Sequence, residues 1–291
     1  MRILFILNLI AMLLFSSMLI AEPWKFTSDV NLSLSQSSYS DNWAGTELGS
    51  ISWTAASNSA AEKQLTDIMH NRTTLKLSFG QTHQQIINDE GEKDWSRPEK
   101  SNDKIDLESL LRFTLQTYVD PFVAARWESQ FLDLSDPTKT RIINPSRFTE
   151  SAGIIRNFIK EDNHSLSARL GAAFRQNIDR DAFDGIDTRE TVTTNDGGIQ
   201  FIAEYMRRFL PQDILYNSRL EVYQALFNSE DDELPNDDWK AVDVLWQHSL
   251  STKIWSIINA GLFFEMVYDK EQVDELQFRQ TLGLGVFFQL Y

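Results

Sequence analysis

The chain contains no cysteine. Disulfides, thiolate metal sites, cysteine nucleophiles and thiol-anchored lipids are therefore excluded. Basic residues are also in deficit: 27 lysines and arginines stand against 42 aspartates and glutamates, a formal charge of −15. Nucleic-acid binders carry a basic footprint, so no nucleic-acid partner is expected. Histidine is sparse, and no two of His70, His83, His164 and His248 lie at metal-ligand spacing, which argues against a zinc site. Beyond residue 21 no run approaches the ~18 apolar residues that a helical membrane span requires. Gly-x-Ser-x-Gly, His-Glu-x-x-His and phosphate-loop motifs are missing. Only His248 near Ser249 and Ser251 offers a local start for a membrane-rim hydrolase, which would need a serine, a histidine and an orienting group together. The carboxylate-rich stretch 179–187 misses the alternate-position spacing of a calcium loop. No catalytic, cofactor-binding or metal-binding residue is assigned, no cofactor is expected, and the chain does not read as an enzyme.

What is present is export and a rhythm. Residues 1–21 have the form of a secretory signal: Arg2, an apolar stretch from Ile3 to Phe15, and a small-residue end at Ala21. The remaining chain, 22–291, reads as one domain of twelve amphipathic stretches: 24–36, 47–56, 71–81, 105–118, 122–132, 148–159, 165–178, 199–209, 214–227, 239–250, 254–268 and 276–290. In the first, Trp24, Phe26, Val30, Leu32 and Leu34 share one parity while Lys25, Thr27, Asp29, Asn31 and Ser33 take the other. Successive strand side chains point to opposite faces, so each stretch is a β-strand with one apolar and one wet face. Stretch 148–159 alone has no clean parity.

The gaps alternate between short and long, as the turns and loops of outer-membrane β-barrels do. Aromatic residues crowd the strand ends, among them Trp24, Trp43, Trp53, Trp127, Trp239, Trp255, Tyr268 and Tyr291, where interfacial girdles lie in such barrels. Arg and Glu recur mid-strand on the wet face. A soluble β-sandwich also alternates, but these three features together favour the membrane. In lipid every backbone group must be paired within the protein, and strands achieve this only as a closed barrel. The expected fold is an all-β, closed antiparallel transmembrane β-barrel of about 12 strands in the bacterial outer membrane. Its short turns would lie in the periplasm and its long loops outside. Outer-membrane lipid, lipopolysaccharide and, during insertion, the barrel-assembly machinery are the expected partners. The acidic gaps 88–104, 179–196 and 229–238 read as solvated loops, with cation-bridged lipopolysaccharide as the alternative.

Charged residues on the wet face are the lumenal candidates: Arg112, Arg126, Glu128, Arg169, Arg175, Glu204, Arg208, Arg219, Glu221, Glu265 and Arg279. A turn centred near Asp120 would place Arg112 opposite Glu128. Turns centred on Pro211-Gln212 and on Gln272 would place Glu204 opposite Arg219 and Glu265 opposite Arg279. Directly opposed charges of unlike sign attract, so an ionic ladder inside the barrel is expected. It would either brace a filled lumen or act as a selectivity filter.

Four segments resemble a family of bacterial exported proteins known as domain of unknown function 3078: Leu34 to Gly45, Lys100 to Leu107, Asn236 to Trp239, and Leu276 to Tyr291. One departure is Thr46, which follows Gly45 where the family usually has a second glycine. The resemblance implies an outer-membrane β-barrel and carries over no catalytic residue. A small-solute channel and a non-conducting docking barrel both fit the sequence.

Overall fold

The computed structural model describes residues 23–40, 48–136, 138–183, 188–211, 213–230, 237–255, 258–271 and 273–290. The expected signal segment, Trp43, Tyr291, the turn residues Gln212 and Gln272, and part of the carboxylate-rich stretch lie outside them. The strands are β1 (Lys25–Ser37), β2 (Ser50–Thr66), β3 (Met69–Ile87), β4 (Lys93–Trp95), β5 (Glu99–Phe113), β6 (Asp120–Ser129), β7 (Leu132–Asp133), β8 (Arg141–Ile142), β9 (Ser146–Glu161), β10 (His164–Phe183), β11 (Arg189–Phe209), β12 (Ile214–Asn228), β13 (Val242–Trp255), β14 (Ile258–Asp269) and β15 (Val273–Leu290). The short strands β4, β7 and β8 belong to loops. The other twelve form one antiparallel ring, each paired to its sequence neighbour, and β1 pairs with β15 to close it.

Closure leaves no free edge, so the ring satisfies its own backbone polar groups, as lipid demands. The side chains are distributed inside out relative to a soluble protein. Leu34, Val123, Leu170, Leu226, Leu282 and Leu284 are exposed on the outer face, whereas Asp106, Arg126, Arg169 and Gln200 are buried within. This is an outer-membrane β-barrel: its apolar exterior is solvated by hydrocarbon and its polar groups gather in the lumen. Strands of 10 to 21 residues mostly exceed the ~9–11 needed to cross a bilayer, so several project beyond it.

The strand ends joined through 67–68, 114–119, 162–163, 210–213 and 256–257 are separated by few residues and lie on the same side as the start of β1 and the end of β15, the periplasmic side. Those joined through 38–49, 88–98, 130–145 and 229–241 are separated by many and lie on the outer side. The outer connections 184–188 and 270–272 are shorter than the alternation alone suggests.

Three readings need correction. First, β2 runs ten residues past 56 and turns tightly into β3 at 67–68. Most of its extension, Ser57 to Gln64, carries polar or small residues on both faces and so shows no alternation. Second, β5 ends at Phe113, and Asp120 and Pro121 already belong to β6. The hairpin is therefore centred near 117, and Arg112 faces Phe122 rather than Glu128. Third, Trp239 does not begin a strand but sits in a single 3-10 turn, Asp238–Lys240.

The stretch without parity alternates regularly as far as Asn157, but its residue types do not follow the faces: Glu150 and Arg156 take the outward parity and Ile155 the inward one. Across β9 and β10, Leu166 faces Ile159 while Ser167 faces Asn157, so Phe158 is an extra residue. Such a bulge shifts the alternation by one. Before it Thr149 and Ser151 are buried toward the lumen; at the bulge Phe158 is exposed outward. Between Ser151 and the bulge, Gly153 and Gly171 oppose each other, and a Cβ on Gly153 would lie 2.1 Å from the Leu170 carbonyl oxygen. That close approach admits glycine alone, and it leaves space where the buried Phe122 faces Gly153 from β6.

Candidate functional site: a charge network in the lumen

The strands that carry the network bring charge inward because Asp106 and Glu108 on β5, Arg126 and Glu128 on β6, Arg169 on β10, Glu204 on β11, and Arg219 and Glu221 on β12 all fall on the wet parity. Arg126 on β6 is its centre, with 7% of its side chain exposed. Its Nε and Nη2 donate to the two oxygens of Asp106 on β5, each at 2.9 Å. Nη2 also lies 2.8 Å from Glu128, and Nη1 donates to Glu221 of β12 at 3.0 Å. Arg169 of β10 grips Glu108 of β5 with two parallel bonds of 2.9 and 2.6 Å. Arg219 of β12 lies 2.5 Å from Glu204, 3.4 Å from Glu221 and 3.5 Å from Glu108. Gln200 donates to Glu221 at 2.8 Å, and Lys104 lies 3.3 Å from Asp106. Three arginines and five carboxylates thus form one connected group. Paired, bidentate guanidinium–carboxylate contacts are the strong kind, and shared partners make the group stiff.

These contacts are chords as well as ladder rungs. β6 and β12 are separated in the ring by β9, β10 and β11, yet Arg126 reaches Glu221 directly. The network therefore crosses the lumen and fills the side bounded by β5 to β12. The opposite wall differs. On β14 and β15 the inward positions include Gly261, Gly283 and Gly285, and a Cβ on Gly261 would meet no atom within 4 Å. Thr281 and Gln277 on the same wall are exposed. Glu204, although inside the ring, keeps 47% of its side chain exposed. The lumen is lopsided: the connected network packs one side, whereas the β14–β15 wall carries the single Glu265–Arg279 pair among glycines and exposed polar residues.

Every lumenal candidate can now be placed. Glu204–Arg219 and Glu265–Arg279 are register partners as expected, the latter 2.8 Å apart. Arg126, Glu128, Arg169 and Glu221 join the central network. Arg112 does not meet Glu128; it pairs with Asp120 at 2.5 Å and 2.8 Å near the periplasmic turn. Arg208 pairs with Asp213 at 2.5 Å at the periplasmic end of β11. Arg175 forms a separate cluster toward the outer mouth. It contacts Asp196 at 2.8 Å and Asp243 at 3.1 Å, and its guanidinium lies 3.5 Å above the Tyr223 ring, whose hydroxyl donates to Asp196. Asp106 and Glu108 were absent from the candidates although their parity is inward; the misplaced hairpin centre hid their role. In the same mouth Trp239, from the 229–241 loop, is buried against Ala173, Tyr223 and Ala225.

The outer loops are not merely solvated. Arg141 bridges Asp133 at 2.6 Å and Asp179 at 2.7 Å, and the Asn144 amide donates to the same two carboxylates. Arg189 pairs with Asp136, and Lys139 with Asp181 at 2.6 Å. The 130–145 loop is thereby clasped to the outer ends of β10 and β11. The Arg189 guanidinium that hydrogen-bonds Asp136 holds its carboxyl well below the usual carboxylate range, and Lys139 lowers Asp181 in the same way. A carboxylate lowered on folding stabilises above its ordinary value of about 3.9 and loses that contribution as pH falls through its lower, folded value. The clasp is therefore expected to persist from neutral pH to about pH 4 and to release only below it. Pepsin cleavage within 130–145, followed against pH, measures this. Arg189→Gln should move the onset to higher pH; an unchanged onset would refute the assignment.

His248 faces outward, 2.8 Å from the Tyr216 hydroxyl and against the Trp246 ring. Ser249 and Ser251 have the opposite parity and face the lumen. The three groups are thus on different faces of one sheet.

Residues 34–133 match a family described as "Protein of unknown function (DUF3078)". The match contains the first two segments of the resemblance, at 34–45 and 100–107. No curated protein sequence matches the chain. Among solved structures, an outer membrane channel from Pseudomonas putida is 12% identical, with 92% of this chain and 96% of that one covered at a TM-score of 0.43. The translocator domain of the autotransporter NalP from Neisseria meningitidis is 8% identical, with 97% and 92% covered at a TM-score of 0.37. The β-domain of the Bordetella autotransporter BrkA is 11% identical, with 92% and 98% covered, also at 0.37.

Proposed function

We propose that this outer-membrane barrel is a narrow channel for small polar solutes, with the Arg126–Arg219 network as its constriction. The observation that carries this reading is the lopsided lumen. A bracing network occupies one wall, while the β14–β15 wall presents glycines, Thr281, Gln277 and the half-exposed Arg279 of the Glu265–Arg279 pair to water. Charged side chains fixed beside an aqueous path select by charge and size. Because arginines and carboxylates alternate in the network, a polar neutral or zwitterionic solute suits it better than a strongly charged one.

Planar-bilayer recording of the refolded protein tests the proposal. Small discrete conductance steps are expected. Gly261→Arg, at a position where an added Cβ meets no atom within 4 Å, should reduce the step size. A barrel that is folded by heat-modifiable gel mobility yet silent in the bilayer would overturn the channel reading. The second reading, a non-conducting docking barrel, would then stand; it is supported by Trp239 in the outer mouth and by the clasped outer loop.

A further inference from the structure

We propose that the periplasmic rim carries a binding site for the phosphate headgroup of an anionic phospholipid, centred on Arg156. The 114–119 turn and β9 enclose a cleft of about 450 Å³, lined by Arg112, Tyr118, Asp120, Arg156 and Asn157 among others. Two arginines enter it with different electrostatic status. Arg112 is neutralised by Asp120. Arg156 makes no ion pair among the described residues. Its guanidinium lies 3.4 Å above the Tyr118 ring, Nη1 donates to the Tyr118 carbonyl at 2.6 Å, and Nε is enclosed without a partner.

An unpaired cation is conspicuous in a chain of charge −15. The central lumenal arginines and Arg175 all have carboxylates. The outward cations near the periplasmic end do not: Arg156 lies over Tyr118 and Phe158, Arg207 over Phe209, and Lys63 over Trp24. A cation held on an aromatic face keeps its charge available and its donors oriented. A planar guanidinium with free donors matches phosphate oxygens.

The surroundings favour a lipid over a free anion. Tyr118, 77% exposed, together with exposed Leu115 and Phe158, adjoins the cleft with apolar surface. A phosphodiester could sit in the cleft while its acyl chains lie along that surface. The inner leaflet of the outer membrane is where such a headgroup meets this end of the barrel.

Native mass spectrometry of the full-length protein in detergent, with phosphatidylglycerol or phosphatidylcholine added, tests the site. Retention of phosphatidylglycerol over phosphatidylcholine is expected. Arg156→Gln should weaken that preference roughly tenfold, the loss expected for one charge-assisted hydrogen-bonding group. Tyr118→Ala, which removes the platform and spares the charge, should weaken it less. Equal retention of both lipids by the parent, or an unchanged preference in Arg156→Gln, would overturn the proposal. Displacement of the lipid by millimolar inorganic phosphate would overturn the lipid assignment in favour of a free-anion site.

Discussion

Replacing Arg126 with alanine is expected to destabilise the barrel by about 3–5 kcal/mol, the range for removing one partner from a buried ionic group. Three carboxylates converge on this guanidinium, and two of them, on Asp106 and Glu221, have little other access to water. Without Arg126 they repel one another in a region that cannot solvate them. Arg126→Lys should recover only part of the loss, because a single ammonium cannot replace a fork that bonds both Asp106 oxygens while reaching Glu221. Arg126→Ala combined with Asp106→Asn should be less unstable than Arg126→Ala alone, since one uncompensated charge is gone. Urea unfolding in lipid vesicles, followed by tryptophan fluorescence, gives the comparison. An Arg126→Ala barrel within about 1 kcal/mol of the parent would place the network outside the determinants of stability.

The second large effect is expected at the outer mouth. Trp239 is 7% exposed and is packed on Ala173, Tyr223 and Ala225. No strand holds it: the 3-10 turn that carries it is anchored chiefly by the Gln224 side chain, which donates to the Lys240 carbonyl, and by Lys270, 2.8 Å from Asp238. Removing the indole should unseal the mouth while leaving the ring intact. The cysteine-free sequence makes this measurable with one introduced thiol. In an Ala173→Cys background, a membrane-impermeant thiol reagent added from outside should react slowly with Trp239 in place. It should react at least about tenfold faster in Trp239→Ala, the factor equivalent to 1.4 kcal/mol of lost closure. The same substitution should enlarge the conductance steps. Equal labelling rates would mean that Trp239 does not close the mouth.

Most of the architecture is legible in the sequence because one rule governs it. Alternation identifies a strand wherever one face meets hydrocarbon, and the rule fails where that contrast disappears. It fails over Ser57–Gln64, where β2 is polar or small on both faces, and over 148–157, where Glu150 and Arg156 take the outward parity and Ile155 the inward one. It also fails at Trp239, an aromatic residue that resembles a strand end but folds inward from a loop. Candidate residues were legible to the same depth. Hairpin arithmetic finds neighbours such as Glu204–Arg219 and Glu265–Arg279 when the turn centre is known. It mispaired Arg112 because three residues of error in the β5–β6 turn centre shift the partner by six. It could not find Arg126–Glu221 or Arg175–Asp243, since those contacts depend on the curvature of the closed ring and not on any hairpin.

The seam between β1 and β15 has a kinetic meaning. β1 pairs with β2 along its whole length, from Lys25 to Ser37, but among the described residues it pairs with β15 from Ser28 to Ser33 alone. Every other join in the ring connects strands adjacent in the sequence or nearly so, whereas this one unites the two extremes of the chain. Its loop-closure entropy is the largest and, among the described residues, its ladder is the shortest in the ring, so it is expected to be the last join to form. A nascent curved sheet lacking only this join would still be able to widen or shed water, and the final zip would commit the polypeptide to its membrane.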